Sequence, residues 1–83
     1  MKALYFASVR EKVGLAEEEL SPPADVATLG ELIFWLRGRG EGYAEAFGHE
    51  KAVRAAIDRA HARPEATIGG AREIAFFPPM TGG

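Results

Sequence analysis

The sequence contains no cysteine. It therefore forms no disulfide and offers no thiolate for a metal site, an iron–sulfur cluster or nucleophilic catalysis. A block of basic residues is also missing and the net charge is -2, so neither nucleic acid nor an anionic membrane is expected as the main partner. No apolar run approaches transmembrane length, and the apolar N-terminal stretch meets charged residues too early for a signal peptide. We expect a cytoplasmic protein.

Asparagine and glutamine are absent as well. Loss of thermolabile residues is a tendency of thermophile proteins, and the alternative is a compositional bias in a short chain. A length of 83 residues predicts one domain with a modest core, which is too small for a deep active site of its own. The hydrophobic share of 47% and the charged share of 27% are typical of a soluble globular domain.

The apolar pattern predicts one main helix among four strands. In chain order, the predicted elements are a strand over Lys2–Ser8, a strand over Leu15–Leu20, a helix over Thr28–Arg37, a strand over Lys51–Asp58 and a strand over Arg72–Phe77. This order predicts an α+β domain with a mixed sheet and is compatible with a β-grasp. The first and last strands are the most apolar, so we expect them to pair in parallel near the centre of the sheet.

The helix has the clearest local signals. Thr28 and Glu31 have the spacing of a capping box, and apolar residues recur at i, i+3, i+4 and i+7 from Leu29. Gly38 or Gly40 is expected to supply a left-handed cap at its end. A second short helical turn is predicted at the sequence YAEAF.

The interior of the chain offers little chemistry. Three successive carboxylates, Glu17–Glu19, alternate in direction on a strand and are expected to form a solvated edge. His49 and His61 lack metal-ligand spacing and are interpreted as surface residues. No serine has a plausible base nearby in the sequence, and no Walker-type ATP motif occurs. We therefore expect that the chain binds no metal and no cofactor.

The C-terminal sequence FFPPMTGG is the most distinctive part of the chain. We interpret residues 1–77 as the domain and residues 78–83 as an extended tail. The two prolines favour a stiff exit, and the two terminal glycines fit a narrow channel because they have no side chains. Such a tail presents one functional group, the carboxylate of Gly83. Because a carboxylate is a poor electrophile, a separate enzyme would have to activate it, for instance by adenylation.

The sequences LYFASVREKVG and EIAFFPPMTGG, with the length between them, resemble the small, sulfur-carrying subunit of molybdopterin synthase, a ubiquitin-like β-grasp family. The resemblance spans essentially the whole chain, and its specific part is the FFPP-x-x-GG ending. Where relatives often have an acidic Gly-Asp turn before the last strand, this chain has IGGARE.

The resemblance implies roles for the end of the chain and matches Arg10 to an arginine of the family's N-terminal motif. It implies that Gly83 carries the sulfur, that Met80, Thr81 and Gly82 form the slender tail, and that Phe76, Phe77, Pro78 and Pro79 form the segment that docks on the partner.

It also implies a reaction cycle. An adenylating enzyme of the ubiquitin-activating type uses ATP to activate Gly83, a sulfur donor converts the adenylate to a thiocarboxylate, and the carrier docks on the large synthase subunit in a heterotetramer. Sulfur then passes to cyclic pyranopterin monophosphate. Two alternatives remain open: a sulfur carrier for thiamine, tRNA or cysteine pathways, or a ubiquitin-like protein modifier or plain interaction module without sulfur chemistry.

Overall fold

The strands and helices are known from a computed structural model that describes residues 1–48 and 53–79. In chain order, these residues form β1 (Lys2–Tyr5), α1 (Ala7–Val13), β2 (Glu17–Glu19), α2 (Leu29–Arg37), α3 (Glu41–Phe47), β3 (Arg54–Ile57), β4 (Ala60–Ala62) and β5 (Glu73–Phe77). They make an α+β domain, as the sequence predicted.

The strands form one mixed sheet in the order β2-β1-β5-β3-β4. β1 and β5 are parallel neighbours, with Tyr5 opposite Phe76, and the other neighbours are antiparallel. The predicted parallel pairing of the first and last strands is confirmed. With α2 packed against one face of the sheet, this topology is a ubiquitin-like β-grasp.

The first strand is shorter than predicted. It ends at Tyr5 rather than at Ser8, because the chain turns directly into the two-turn helix α1. This helix places Val9 in the core, where it is 2% exposed. Gly14 ends the helix with φ 88°, in the left-handed region that favours glycine, and its N–H donates to the carbonyl oxygen of Arg10. Burial of the valine thus takes precedence over the strand preference of the sequence.

The main helix α2 begins as predicted. The Thr28 hydroxyl accepts from the Glu31 N–H at 3.2 Å, and the Glu31 carboxylate accepts from the Thr28 N–H at 3.0 Å, which completes the capping box. The predicted left-handed cap at the other end is wrong, since Gly38 has φ -85° and Gly40 has an extended φ of 160°. The buried residues of α2 are Leu29, Leu32 and Leu36.

The predicted second helical turn is confirmed and extended, because α3 begins already at Glu41. It crosses α1 at Gly42, where a Cβ atom would clash with the carbonyl oxygen of Lys12. A glycine is therefore required for this close approach of the two helices. At its other end, α3 buries Phe47, which is 1% exposed.

Three aromatic rings form the centre of the core. The Phe47 ring lies edge-on to Phe76 at 5.1 Å between centroids, and Tyr5 stacks on Phe76 at 5.9 Å. All three side chains are at most 1% exposed. This cluster packs α3 against the two central strands, so it also fixes the position at which β5 ends.

The edge strand β2 is not uniformly solvated, contrary to the prediction. Glu17 and Glu19 are exposed, but the Glu18 side chain is only 15% exposed. Its Oε2 accepts from the hydroxyls of Tyr5 at 2.8 Å and Tyr43 at 2.6 Å. The prediction had the alternation right and overlooked that the inward carboxylate could have polar partners.

Arg39 completes this arrangement, which we call the Glu18 clasp (Tyr5, Glu18, Arg39 and Tyr43). Its Nη1 lies 3.1 Å from Glu18 Oε1, and its guanidinium lies 5.1 Å from the Tyr43 ring centroid. Burial alone would raise the pKa of Glu18. The hydrogen bonds from Tyr43 and Tyr5 and the charge of Arg39 outweigh burial and hold this pKa below its ordinary value of 4.5.

The clasp predicts an acid-sensitive contribution to stability. A carboxyl group with a lowered folded-state pKa stabilises the fold above its unfolded pKa, and this contribution is lost as the pH falls through the folded pKa. We expect Glu18→Gln to lower the free energy of unfolding at pH 7 by about 1.5–3 kcal/mol, the value of hydrogen bonds to a charged group. Urea titrations at pH 7 and below pH 4 should show the deficit shrinking in acid.

Glu17→Gln is the matched control for this prediction. Glu17 pairs with Lys2 at 3.3 Å in an exposed position, so its removal should cost only about 0–1 kcal/mol. Equal losses in the two variants, or a Glu18→Gln deficit that does not change with pH, would contradict the role of the clasp.

The third strand is confirmed in part. Lys51 and Ala52 lie outside the described residues, and β3 runs over Arg54–Ile57. A turn at Asp58 and Arg59, with φ 47° and 73°, joins β3 to its antiparallel partner β4. The strand β4 was not predicted from the sequence. The Asp58 carboxylate accepts from the N–H groups of residues 72 and 73 and thereby holds this turn against the start of β5.

Candidate functional site

The C-terminal segment leaves the domain from the middle of the sheet. β5 ends at Phe77, between β1 and β3, and Pro78 and Pro79 follow as partly buried residues. The predicted tail residues and the predicted sulfur-bearing residue, Met80, Thr81, Gly82 and Gly83, lie outside the described residues. The structure therefore describes the base of the tail, and the predicted roles of those four residues stay predictions.

Alternation along β5 separates the two phenylalanines of the FFPP sequence. Phe76 faces the core and is 0% exposed, whereas Phe77 faces the other side of the sheet and is partly exposed. These opposite orientations are what alternation along a strand gives for two successive residues. Because Phe76 is fully buried, it cannot contact a partner in the folded domain, so its part in the predicted docking segment is restricted to positioning the strand.

The face of the sheet on which Phe77 lies carries an apolar strip. Leu4, Ala75 and Ala56 are opposite one another on the three central strands, and all three are partly exposed. Charged residues occupy other positions of the same face, such as Arg54 opposite Phe77. The core and the helices lie on the opposite face. An apolar centre with charged surroundings is the usual composition of a protein–protein interface.

Two further residues join this face near the exit of the tail. Phe6 follows β1, is 48% exposed, and donates its N–H to the carbonyl oxygen of Phe76 at 3.0 Å. The His61 ring on β4 lies edge-on to the Phe77 ring at 5.6 Å. We call Phe6, His61, Phe77, Pro78 and Pro79 the docking patch.

Two members of the docking patch, Phe6 and His61, were not predicted from the sequence, for different reasons. Phe6 could have been found, since the alternation of β1 places it on the face opposite to Tyr5. His61 had no local signal, because its contact with Phe77 depends on the pairing of β3 with β4. Its interpretation as a surface residue is confirmed, since the side chain is exposed.

The described residues hold no obvious site for chemistry. Residues 1–48 and 53–79 contain no cluster of three or more histidine, aspartate or glutamate side chains that could bind a metal ion. Over the same ranges, no helix combines the length and the apolar character that crossing a membrane requires. Arg10 is exposed on α1, and its carbonyl oxygen accepts from Gly14. The docking patch and the exit of the tail remain the candidate site.

Known proteins resemble the chain over its whole length. It is 34% identical to each of two proteins named molybdopterin synthase sulfur carrier subunit, one from Escherichia coli and one from Haemophilus influenzae. Each alignment covers 100% of this chain and 99% of the relative.

Solved structures share the fold. SAMP1 from Haloferax volcanii superimposes with a TM-score of 0.71 at 22% identity, covering 100% of this chain and 98% of that one. A putative molybdopterin converting factor, subunit 1, from Pyrococcus furiosus superimposes with a TM-score of 0.75 at 24% identity, covering 95% of each chain. The ThiS family matches residues 3–83, which include the docking patch and the Gly-Gly terminus. The chain therefore belongs to the ThiS family.

Proposed function

We propose that the chain is the sulfur-carrier subunit of a molybdopterin synthase, with Gly83 as the residue that carries the sulfur. The observation that supports this most is the position of the FFPP segment. It leaves the central strand beside a partly exposed aromatic patch on the side of the sheet opposite the core. The full-length relatives that bear this name have the same overall length.

The proposed chemistry uses the terminal carboxylate. An adenylating enzyme joins the carboxylate of Gly83 to the AMP part of ATP and releases pyrophosphate. A sulfur donor then displaces AMP, which leaves a thiocarboxylate. Its sulfur bonds to cyclic pyranopterin monophosphate, and water then cleaves the bond between that sulfur and the acyl carbon of Gly83, which restores the carboxylate. Two such transfers complete one dithiolene. The domain supplies no catalytic group to these steps and presents the reacting atom to its partners.

The geometry required for this role is simple. Six residues, 78–83, span at most about 20 Å when extended, at roughly 3.3 Å per residue. The docking patch binds the large subunit at the base of this reach, and the tail enters the partner's active site. Two prolines at the base reduce the conformational freedom that is lost on entry. The docking patch thus provides the affinity for the large subunit, and the tail delivers the sulfur to the active site.

The proposal predicts a defined change in mass. Purified chain incubated with its adenylating enzyme, ATP and a sulfur donor should gain the mass that corresponds to replacement of one oxygen by sulfur. Intact-mass spectrometry measures this change, and the chain without ATP is the control. If lysine-linked conjugates form instead, the chain is a protein modifier. If the thiocarboxylate forms but sulfur passes only to a thiamine, tRNA or cysteine pathway, the chain serves another sulfur-carrier route.

A second prediction concerns the docking patch. Phe77→Ala should weaken binding to the large subunit by roughly 1–3 kcal/mol, because a central aromatic contributes much of the binding energy of an interface. The free energy of unfolding should change much less, since the ring is partly exposed and its partners lie on the surface. Isothermal titration calorimetry and urea unfolding of the same samples measure the two quantities.

Leu15→Ala is the matched control for this experiment. Leu15 is 43% exposed and lies beside α1, outside the docking patch. Removal of the apolar Leu15 side chain should not change the affinity for the large subunit. A Phe77→Ala variant that unfolds, or a Leu15→Ala variant that loses as much affinity, would contradict the assignment of the patch.

A further inference from the structure

An apolar groove lies on the helical side of the domain. It has a volume of about 330 Å³, and α2 forms one wall through Ile33, Phe34 and Arg37. Phe47 and Val53 also line the groove. Phe34 is 69% exposed, the largest exposed fraction among the large apolar side chains of residues 1–48 and 53–79. The docking patch does not include any of these residues, so the groove is a separate surface of the domain.

The groove is close to the point where the tail leaves the domain. Val53 directly precedes Arg54, which is paired with Phe77 at the end of β5. Phe47 contacts the last core residue of the same strand, with 5.1 Å between the ring centroids of Phe47 and Phe76. Two lining residues of the groove therefore adjoin the last residues of β5, from which the tail begins.

The groove also has a distinctive charge. Arg37 is the sole charged side chain among the described residues that line it. Its guanidinium lies 5.6 Å from the centroid of the Phe34 ring. No ion pair of Arg37 is found within residues 1–48 and 53–79. An apolar surface with one cation fits a short segment that carries an apolar side chain and a carboxylate.

We propose that the chain's own C-terminal segment, Met80–Gly83, docks in this groove when no partner holds it. The terminal carboxylate pairs with Arg37, and the Met80 side chain packs against Phe34. Four residues reach at most about 13–14 Å beyond Pro79, and Arg37 is itself one of the residues that line the groove. The segment has an apolar side chain and a terminal carboxylate, which match the apolar lining and the single cation of the groove.

This docking gives the tail two states. In one, the carboxylate is held on the helical side of the domain; in the other, it extends away and is open to a partner. A partner that binds only the extended tail shifts the population toward that state. The ion pair is at the surface, so docking should weaken as salt shortens the screening length from about 30 Å at 0.01 M to about 3 Å at 1 M. None of this depends on which pathway uses the tail.

The chain's lack of cysteine permits a direct test. Thr81→Cys creates a single thiol for a nitroxide spin label. The amide signals of Ile33 and Phe34 should lose intensity in the NMR spectrum of the labelled chain. α1 begins beside the same exit, because the Phe6 N–H donates to the carbonyl of Phe76. A tail without a preferred site would therefore weaken the signals of α1 as strongly as those of the groove, and that result would overturn the proposal.

Variants of single charges show whether the carboxylate is the anchor. Arg37→Ala should restore the groove signals, whereas Lys12→Ala, which removes an exposed cation of α1, should leave them weakened. A chain ending at Pro79 supplies a measurement without any label: its groove amide shifts should differ from those of the full chain. Unchanged groove shifts, or a restored signal in Lys12→Ala alone, would contradict the proposal.

A mixing experiment separates the two possible sources of the tail. Spin-labelled chain without isotope is mixed with isotope-labelled chain without spin label. Loss of groove signals in the mixture would mean that a second copy supplies the tail, and it would overturn docking within one chain. All of these measurements use the unmodified carboxylate, so failure of the sulfur chemistry would not affect them, and their failure would leave the sulfur chemistry intact.

Discussion

A carrier that lacks Gly83 is expected to bind the large synthase subunit with normal affinity and to transfer no sulfur. The deletion leaves a carboxylate on Gly82, so the functional group is still present. Its position changes, because one residue of extended chain accounts for about 3.3–3.6 Å. A displacement of this size exceeds the tolerance of an active site in which the reacting atoms are about 3–3.5 Å apart.

A C-terminal extension should fail for a related reason. One extra residue moves the carboxylate past the reacting position, and a longer tag removes the free carboxylate of Gly83 altogether. Neither change touches the core, whose buried residues all lie between Ala3 and Phe76. The docking patch is likewise unaltered. Folding and affinity should therefore stay near those of the natural chain.

The measurement is a reconstituted synthase assay. It contains the adenylating enzyme, ATP, a sulfur donor, the large subunit and cyclic pyranopterin monophosphate. Thr81→Ala is the matched control, since it changes a side chain of the tail and keeps its length, and it should retain turnover. A Gly83-deleted or extended carrier that still makes molybdopterin would refute the proposed delivery of sulfur by a tail of fixed length.

Local signals in the sequence were enough to predict α2 and the direction of β5. The capping box needs only two residues three positions apart, and both belong to the same turn. Likewise, the orientation of Phe77 follows from alternation along one strand. The parallel pairing of β1 with β5 followed from their apolar character, because the most apolar strands take central positions.

Features that depend on distant contacts were not predictable in this way. Ala7 has φ 51°, an unusual value for a residue other than glycine, and it allows α1 to begin directly after β1. The two tyrosines that donate to Glu18 are distant in the chain: Tyr5 is 13 positions away and Tyr43 is 25 positions away. The sequence indicated that Glu18 faces inward, but it did not show what Glu18 would meet there.

The same distinction between local signals and distant contacts applies to the residues of the candidate site. The tail and Phe77 were identified from contiguous residues and a resemblance, whereas His61 came to the docking patch through the turn between β3 and β4. That turn uses Asp58 and Arg59 rather than glycine, so no glycine marked it in the sequence. The assignment of Phe76 to docking also needed the structure, because only its burial separates support of the strand from contact with a partner.

The two phenylalanines of the FFPP sequence should consequently respond in opposite ways to the same substitution. Phe76→Ala removes a ring that is 0% exposed and packs against both Tyr5 and Phe47. The loss of a buried phenylalanine typically lowers the free energy of unfolding by about 3–5 kcal/mol. The total free energy of unfolding of a domain of this size is only about 4–12 kcal/mol, at roughly 0.05–0.15 kcal/mol per residue. A substantial fraction of Phe76→Ala molecules is therefore expected to be unfolded near physiological temperature.

Urea unfolding followed by the fluorescence of Trp35 measures the effect, and a lower midpoint at an unchanged slope would identify a loss of stability. Phe77→Ala is the adjacent control, with the same chemical change on the opposite face of β5. Phe76→Leu adds a graded test, because it retains part of the apolar volume and should lose less stability than Phe76→Ala.

If Phe76→Ala folds normally and loses affinity for the large subunit, Phe76 is a contact residue and the division of roles between the two faces is wrong. If both variants lose stability alike, Phe77 belongs to the core, and the docking patch loses its central residue.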